Sequence, residues 1–169
     1  MSDKDKALSR QIAQIMNQSA ASRVNADERF ASRGVPHVMD PEDVPLYRMF
    51  AAQVAEHIEY IEENILQLEK NPGDEKILGG VFRATHSIKG DSAFLDLEGF
   101  TVLAHDMETL LERCRKGLLK PTSRVIGICL QALDALKDML DNLKTLLESP
   151  DPTRPHPNLQ EVVFGPIRK

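Results

Sequence analysis

Apolar residues recur every three or four positions through most of this chain, which is the spacing that aligns them on one face of an α-helix. Four such stretches follow one another between residues 44 and 148, separated by short polar segments. The clearest stripes, in the first and fourth stretches, are Phe50, Val54, Ile58, Ile61, Ile65 and Leu68, and Val125, Cys129, Leu133, Leu136, Leu140, Leu143 and Leu147. The pattern predicts an all-α fold, an antiparallel four-helix bundle without strands.

Helix-start and helix-stop signals separate the four stretches. Asp40 before Pro41 predicts the N-cap of the first helix, and Asp43 is a competing N-cap because Pro45 is better tolerated near a helix start than inside a helix. The segment 71–73, Asn-Pro-Gly, predicts the end of this helix. The other predicted boundaries are Asp74 and residues 94–96 for the second helix, Gly117 for the end of the third, and Thr122 for the start of the fourth.

We assign the predicted bundle to residues 41–149. The segments on either side of it differ from it in composition. Residues 1–40 form a leader with one short apolar stripe, at Leu8, Ile12, Ile15 and Met16, and then a polar stretch. We expect this leader to be partly helical or disordered and at most loosely docked. Residues 150–169 begin as a proline-rich linker, and residues 159–164 predict one further short helix.

Composition and charge narrow the range of functions. The formal net charge of -5 argues against general nucleic-acid binding, which needs a basic face. No apolar run is long enough to predict a membrane span, and the first residues do not resemble a secretory signal. Cys114 and Cys129 are too few for a disulfide framework and lack a metal-binding spacing, so we expect a reducing, cytoplasmic setting.

The segment 84–90, Ala-Thr-His-Ser-Ile-Lys-Gly, is the most distinctive part of the sequence. On a helix, His86 and Lys89 lie on the same face, with their Cβ atoms about 5–6 Å apart. Gly90 adds no side chain and leaves the adjoining surface open. A cation and an open surface suit a histidine that becomes negatively charged, and phosphorylation would have that effect.

A second polar pair, His105 and Glu108, follows at the same spacing on the predicted third helix. If the second and third helices are antiparallel neighbours, this pair can face His86. A carboxylate that accepts a hydrogen bond from Nδ1–H fixes the tautomer of a histidine and leaves Nε2 as the nucleophile. We expect Glu108 to have this role.

The residues by themselves leave other interpretations open. A helical histidine is more often structural or simply solvated, and His105 with Glu108 can be an ordinary exposed pair. The bundle can also be a scaffold without phosphorylation chemistry. A metal-binding bundle would take its ligands from His86, His105, Glu108, Glu112, Glu56 and Glu59. Di-iron bundles use two copies of a Glu-x-x-His motif, however, and this chain has one reversed copy, so we predict no metal.

Residues 81–90 resemble the phosphorylation motif of histidine phosphotransfer (HPt) domains, and among these the amino-terminal phosphotransfer domain of CheA-type chemotaxis histidine kinases. The resemblance extends over residues 44–148 and includes residues 103–111 and the Arg-Lys-Gly sequence of residues 115–117. It implies a four-helix fold, and in the CheA-like branch often a fifth helix, for which residues 159–164 are the candidate.

The resemblance also implies a role for each residue of the two motifs. His86 corresponds to the phosphorylated histidine, Lys89 to the lysine that stabilises the phosphoryl group, and Gly90 to the small residue that keeps the site accessible. Glu108 corresponds to the carboxylate that hydrogen-bonds the histidine, and His105 to a second polar residue near it. The implied function is a phosphorelay intermediate, which accepts a phosphoryl group from a histidine kinase and passes it to an aspartate of a response-regulator receiver domain.

Nothing in the sequence resembles a nucleotide-binding loop, so we expect a phosphocarrier without its own ATP site and without a cofactor. The chain can equally be the phosphotransfer part of a larger CheA-type kinase. Asp91 and Asp96 depart from the family pattern, which has small residues there, often glycine, and we expect them to affect partner choice more than activity. The receiver is expected to dock around His86, beside Phe82 or Phe94.

Overall fold

The computed structural model describes residues 39–152, and four helices form the regular structure of this part of the chain. They are α1 (Val44–Lys70), α2 (Glu75–Phe94), α3 (Glu98–Arg115) and α4 (Ser123–Leu147). Each helix packs against two others, in the cyclic order α1, α2, α3, α4, and short connections make consecutive helices antiparallel. The predicted all-α four-helix bundle is therefore confirmed.

The start of α1 decides between the two predicted N-caps. The helix begins at Val44, so Asp43 is the N-cap and the prediction for Asp40 is wrong. Residues 41–43 instead form a turn, in which the backbone N–H of Asp43 donates to the carbonyl of Asp40 at 2.9 Å. A helix that began at Pro41 would place Pro45 where its missing N–H and its ring disrupt the first helical turn.

The other boundaries agree with the predicted signals. The Asp74 side chain caps α2 by accepting hydrogen bonds from the backbone N–H groups of Lys76 and Ile77, both at 3.0 Å. The helix α1 ends at Lys70, and Gly117, with a φ of 68°, follows the end of α3 in the left-handed conformation that glycine adopts freely.

The core of the bundle consists of the apolar stripes. Every residue of the two stripes listed for the first and fourth helices is buried. Phe50 of α1 and Phe100 of α3 meet edge to face in the core, with ring centroids 5.3 Å apart and an interplanar angle of 90°. On α2, Val81 and Ile88 are buried, whereas Phe82 is only half-buried.

Two predicted segments lie outside the described residues: the leader up to residue 38, and the tail from residue 153, for which we predicted a short helix at residues 159–164. Met39, which we assigned to the leader, is only 2% exposed and belongs to the buried core. None of the helices in residues 39–152 has the length and apolar character that crossing a membrane requires.

A hydroxyl pair fixes the alignment of α2 and α3. The Ser92 side chain is fully buried, donates to the carbonyl of Lys89 at 3.0 Å, and lies 2.9 Å from the hydroxyl of Thr101 on α3. Between the helices, Asp96 has a φ of 54°, in the left-handed region that glycine favours and that aspartate tolerates better than most residues. This connection brings the polar residues of α3 alongside the exposed face of α2.

Candidate functional site

The helix α2 presents His86 to solvent because its neighbours in sequence point inward. Thr85 and Ile88 are fully buried, and Ala84 is also part of the core. The Thr85 hydroxyl is satisfied by donating to the carbonyl of Val81 at 2.9 Å, so a polar residue is accommodated inside without involving His86. The His86 side chain is 61% exposed on the opposite side of the helix.

Glu108 of α3 contacts the imidazole from the neighbouring helix. Its Oε1 lies 3.1 Å from Nδ1 of His86, and its side chain is only 15% exposed. An ionised carboxylate can only accept hydrogen bonds, so Nδ1 must be the donor. This contact therefore selects the tautomer with the proton on Nδ1 and leaves the lone pair of Nε2 free.

Lys89 binds the other oxygen of the same carboxylate. Its Nζ lies 2.6 Å from Oε2 of Glu108, an atom that is completely buried. The contact is an ion pair between two side chains that are 26% and 15% exposed. The spacing alone led us to expect Lys89 beside the imidazole, and the structure links the two through Glu108 instead.

The two contacts of Glu108 determine its charge. Burial by itself raises the pKa of the carboxyl group, but the hydrogen bonds and charges of Lys89 and His86 lower it by more, so the net pKa lies below the ordinary value of 4.5. Glu108 is therefore ionised at neutral pH, which the acceptor role toward Nδ1 requires.

Phe82 and Arg115 complete the surroundings of His86. The Phe82 ring, one helical turn before His86, stacks on the imidazole with centroids 6.2 Å apart and an interplanar angle of 17°. The Cζ atom of Arg115, at the end of α3, lies 4.4 Å from the centroid of the Phe82 ring. The sequence contained a partial signal for these contacts: Phe82 precedes His86 by four residues, and Arg115 follows Glu108 by two helical turns, so each pair lies on one helix face.

Within residues 39–152, the remaining predicted site residues form no hydrogen bond, ion pair or ring contact with the imidazole. His105 is exposed on α3, and no side-chain contact within residues 39–152 joins it to His86. Gly90 is also exposed, and a Cβ built on it would have no described atom within 4 Å. Phe94 is 77% exposed, and Asp91 is half-buried. The roles that the resemblance implies for His105 and Gly90 stay predictions.

The described residues offer no cluster for a metal ion. Across residues 39–152, no three side chains of histidine, cysteine, aspartate or glutamate come together in a group that could hold one. The site around His86 contains one imidazole, one carboxylate and one ammonium in direct contact, and the ammonium already neutralises the carboxylate.

Comparison with known families gives a direct match. The family model described as the Hpt domain matches residues 45–146, which is more than half of the chain. The chain belongs to the Hpt domain family. The predicted resemblance is confirmed, and the match covers all of the helices that carry His86 and its neighbours.

Curated relatives of this Hpt domain include a sensor histidine kinase and a chemotaxis protein. The chain is 37% identical over 95 residues to the sensor histidine kinase CheAY of Helicobacter pylori, an alignment that covers 56% of this chain and 12% of the relative. It is 34% identical over 95 residues to the chemotaxis protein CheA of Bacillus subtilis, covering 56% of this chain and 14% of that protein. The chain thus spans only a small part of the length of these relatives.

A solved structure shares the fold of the Hpt domain. The CheA phosphotransferase domain from Thermotoga maritima is 26% identical in sequence and superposes with a TM-score of 0.58. The superposition covers 60% of this chain and 96% of that domain. The similarity is therefore to a complete phosphotransferase domain.

Proposed function

We propose that this Hpt domain carries phosphoryl groups on Nε2 of His86. The observation that carries the proposal is the contact of Nδ1 with the buried carboxylate of Glu108 at 3.1 Å, which leaves Nε2 as the free nitrogen of a solvent-exposed imidazole. Membership in the Hpt family makes the domain a phosphocarrier, and the contact supports His86 as the histidine and Nε2 as the nitrogen that would bear the group.

The proposed reaction has two steps. In the first, the lone pair of Nε2 attacks the γ-phosphorus of ATP held by a histidine kinase, the N–P bond forms, and the bond from phosphorus to the bridging oxygen breaks, so that ADP leaves with its electron pair. In the second, a carboxylate oxygen of a receiver aspartate attacks phosphorus, the P–N bond breaks, and its electron pair returns to Nε2. The proton on Nδ1 stays hydrogen-bonded to Glu108 throughout.

Lys89 supplies the positive charge that the reaction needs. Its ammonium lies within reach of Glu108 on the same helix face as His86, so a modest rotation would turn it toward phosphoryl oxygens. Charge-assisted contacts of this kind are roughly twice as strong as neutral hydrogen bonds. Lys89 would thus hold the carboxylate before transfer and share its charge with the phosphoryl group afterwards.

The partners follow from the reaction and from the kind of relative that the chain resembles. The donor would be the catalytic domain of a histidine kinase and the acceptor a response-regulator receiver domain, and the domain would have no ATP site of its own. The same chemistry applies whether the domain acts alone or as the phosphotransfer part of a longer CheA-type kinase. We assign the exchange to the cytoplasm, where the free thiols of Cys114 and Cys129 fit a reducing compartment.

The test is a labelling experiment with radioactive ATP. The purified chain is incubated with and without the catalytic core of a CheA-type kinase, and protein-bound label is measured. We expect acid-labile, base-stable label that requires the kinase and is lost in His86→Gln. The control variant is His57→Gln, since His57 lies on α1 and should not matter.

Each alternative outcome has a definite meaning. Label that persists in His86→Gln would refute the assignment of the acceptor. Label from ATP alone would refute the statement that the domain has no ATP site. Failure of several kinase cores to label a folded sample would refute the phosphocarrier function and favour a scaffolding bundle.

A further inference from the structure

The Phe82 ring restrains His86 in a direction that Glu108 does not. Glu108 holds the imidazole at one point on its edge, Nδ1, at 3.1 Å. A single hydrogen bond to an imidazole that is 61% exposed still permits the ring to tilt about that bond. The Phe82 ring lies nearly parallel to the imidazole, at an interplanar angle of 17°, and so limits that tilt from the face.

Arg115 holds the Phe82 ring in turn. Its guanidinium carbon lies 4.4 Å from the ring centroid, within the distance at which a cation is attracted to an aromatic face. Phe82 is only half-buried, so the bundle core does not enclose its ring by itself. The contact that the structure describes for the Arg115 side chain is this cation–π contact with the Phe82 ring.

We propose that Phe82 and Arg115 are positioning residues for the phosphoryl acceptor. The inference rests on the proposed function of His86 and extends it. The helix α3 acts on the imidazole twice, through Glu108 directly at the edge and through Arg115 and Phe82 at the face. Two restraints in different directions fix the plane of the ring and hence the direction of the Nε2 lone pair, and such alignment strongly affects the rate of transfer.

Two phosphoryl donors distinguish a positioning role of Phe82 from a role in docking a partner protein. A kinase core phosphorylates His86 through a docking surface, whereas phosphoramidate is a small phosphoryl donor that needs none. Site-specific label on His86 is measured with both donors. We expect Phe82→Leu to lower the rate of His86 phosphorylation by about threefold to tenfold with either donor, because one aromatic contact contributes a free energy of that size. Phe82→Tyr keeps the ring and should restore the rate.

A double-mutant cycle tests whether Arg115 acts through Phe82. We expect Arg115→Ala to lower the rate in the wild-type background and to have no further effect in the Phe82→Leu background. Arg113→Ala is the matched control, because Arg113 lies in the same last turn of α3. As a structural readout, the scalar couplings of His86 should report one χ1 rotamer in wild type and averaging between rotamers in Phe82→Leu.

The outcomes that overturn the inference are distinct from those that overturn the proposed function. If wild type accepts label on His86 and Phe82→Leu does so equally fast with phosphoramidate, the positioning role is wrong. A loss with the kinase alone would make the pair a docking surface, and equal effects of Arg115→Ala in both backgrounds would make Arg115 a direct phosphate contact. If wild type itself accepts no label on His86 from either donor, the proposed function fails. If Phe82→Leu does not fold, the test is made with Arg115→Ala, a substitution at an exposed position, by measuring its labelling rate with both donors.

Discussion

Replacing Glu108 with glutamine tests whether an ionised carboxylate orients the acceptor. The change keeps the size of the side chain and removes its charge. In the structure, one oxygen accepts from Nδ1 of His86 at 3.1 Å and the other lies 2.6 Å from Nζ of Lys89. An amide has one oxygen and one nitrogen, so it cannot present a separate acceptor oxygen to each of the two groups. Either Lys89 or His86 then faces an N–H donor.

The size of the effect follows from the strength of the two contacts. A hydrogen bond to a charged group contributes about 1.5–3 kcal/mol, compared with about 1 kcal/mol for a neutral one. Losing the charge therefore costs about 0.5–2 kcal/mol at the imidazole. Since about 1.4 kcal/mol corresponds to a tenfold change in rate, we expect phosphorylation of His86 to slow by roughly tenfold in Glu108→Gln.

The assay is the initial rate of label incorporation at saturating kinase core and near-neutral pH. Glu112→Gln is the matched control, because Glu112 lies one turn further on α3 and forms an exposed ion pair with Lys116 at 2.9 Å, without a histidine. Its rate should equal that of wild type. If Glu108→Gln reacts as fast as Glu112→Gln while both are folded, the carboxylate does not orient the acceptor and the reasoning is refuted.

Three further predictions concern stability and reactivity. Gly79→Ala should raise the free energy of unfolding by about 1 kcal/mol in urea titrations, because alanine favours a helix and the added Cβ lies at an ordinary 3.5 Å from the Arg83 side chain. In Gly80→Ala the added Cβ would overlap the hydroxyl of Tyr60 on α1, so this gain in stability should vanish. The lowered pKa of Glu108 means that its carboxylate stabilises the fold above pH 4.5 and that this contribution is lost as the pH falls through the lowered value, so the stability difference from Glu108→Gln should shrink in acid. Burial raises the pKa values of Cys114 and Cys129 to about 11 and about 12, so a thiol reagent should label them only after denaturation.

Each of these has a result that would contradict it. Equal stabilisation by both glycine substitutions would show that the Tyr60 side chain moves away from the added Cβ at Gly80 without cost. A stability difference for Glu108→Gln that grows in acid would mean that the pKa of the carboxyl group is raised in the folded state. Rapid labelling of the native thiols would show that the core opens readily to solvent.

Local sequence determined the helices. The apolar stripes needed only their own periodicity, because a helix with one apolar face must bury that face whatever its partner is. The boundary signals were also local, and at Asp74 and Gly117 they agree with the structure. Where two local signals competed, at Asp40 and Asp43, the sequence left the choice open, and the turn at residues 41–43 decided it.

The site also has some features that the local sequence determined and others that only the packing of the helices decided. The sequence could place His86 and Lys89 on one face, since both belong to α2, but not say where the ammonium would bind. The engagement of Lys89 by Glu108, and the stack of Phe82 with Arg115, depend on the rotation and alignment of α3 against α2. Contacts such as the hydroxyl pair between those two helices set that alignment. Helical periodicity fixes neighbours within one helix, whereas contacts between helices depend on side-chain packing that no spacing along a single chain specifies.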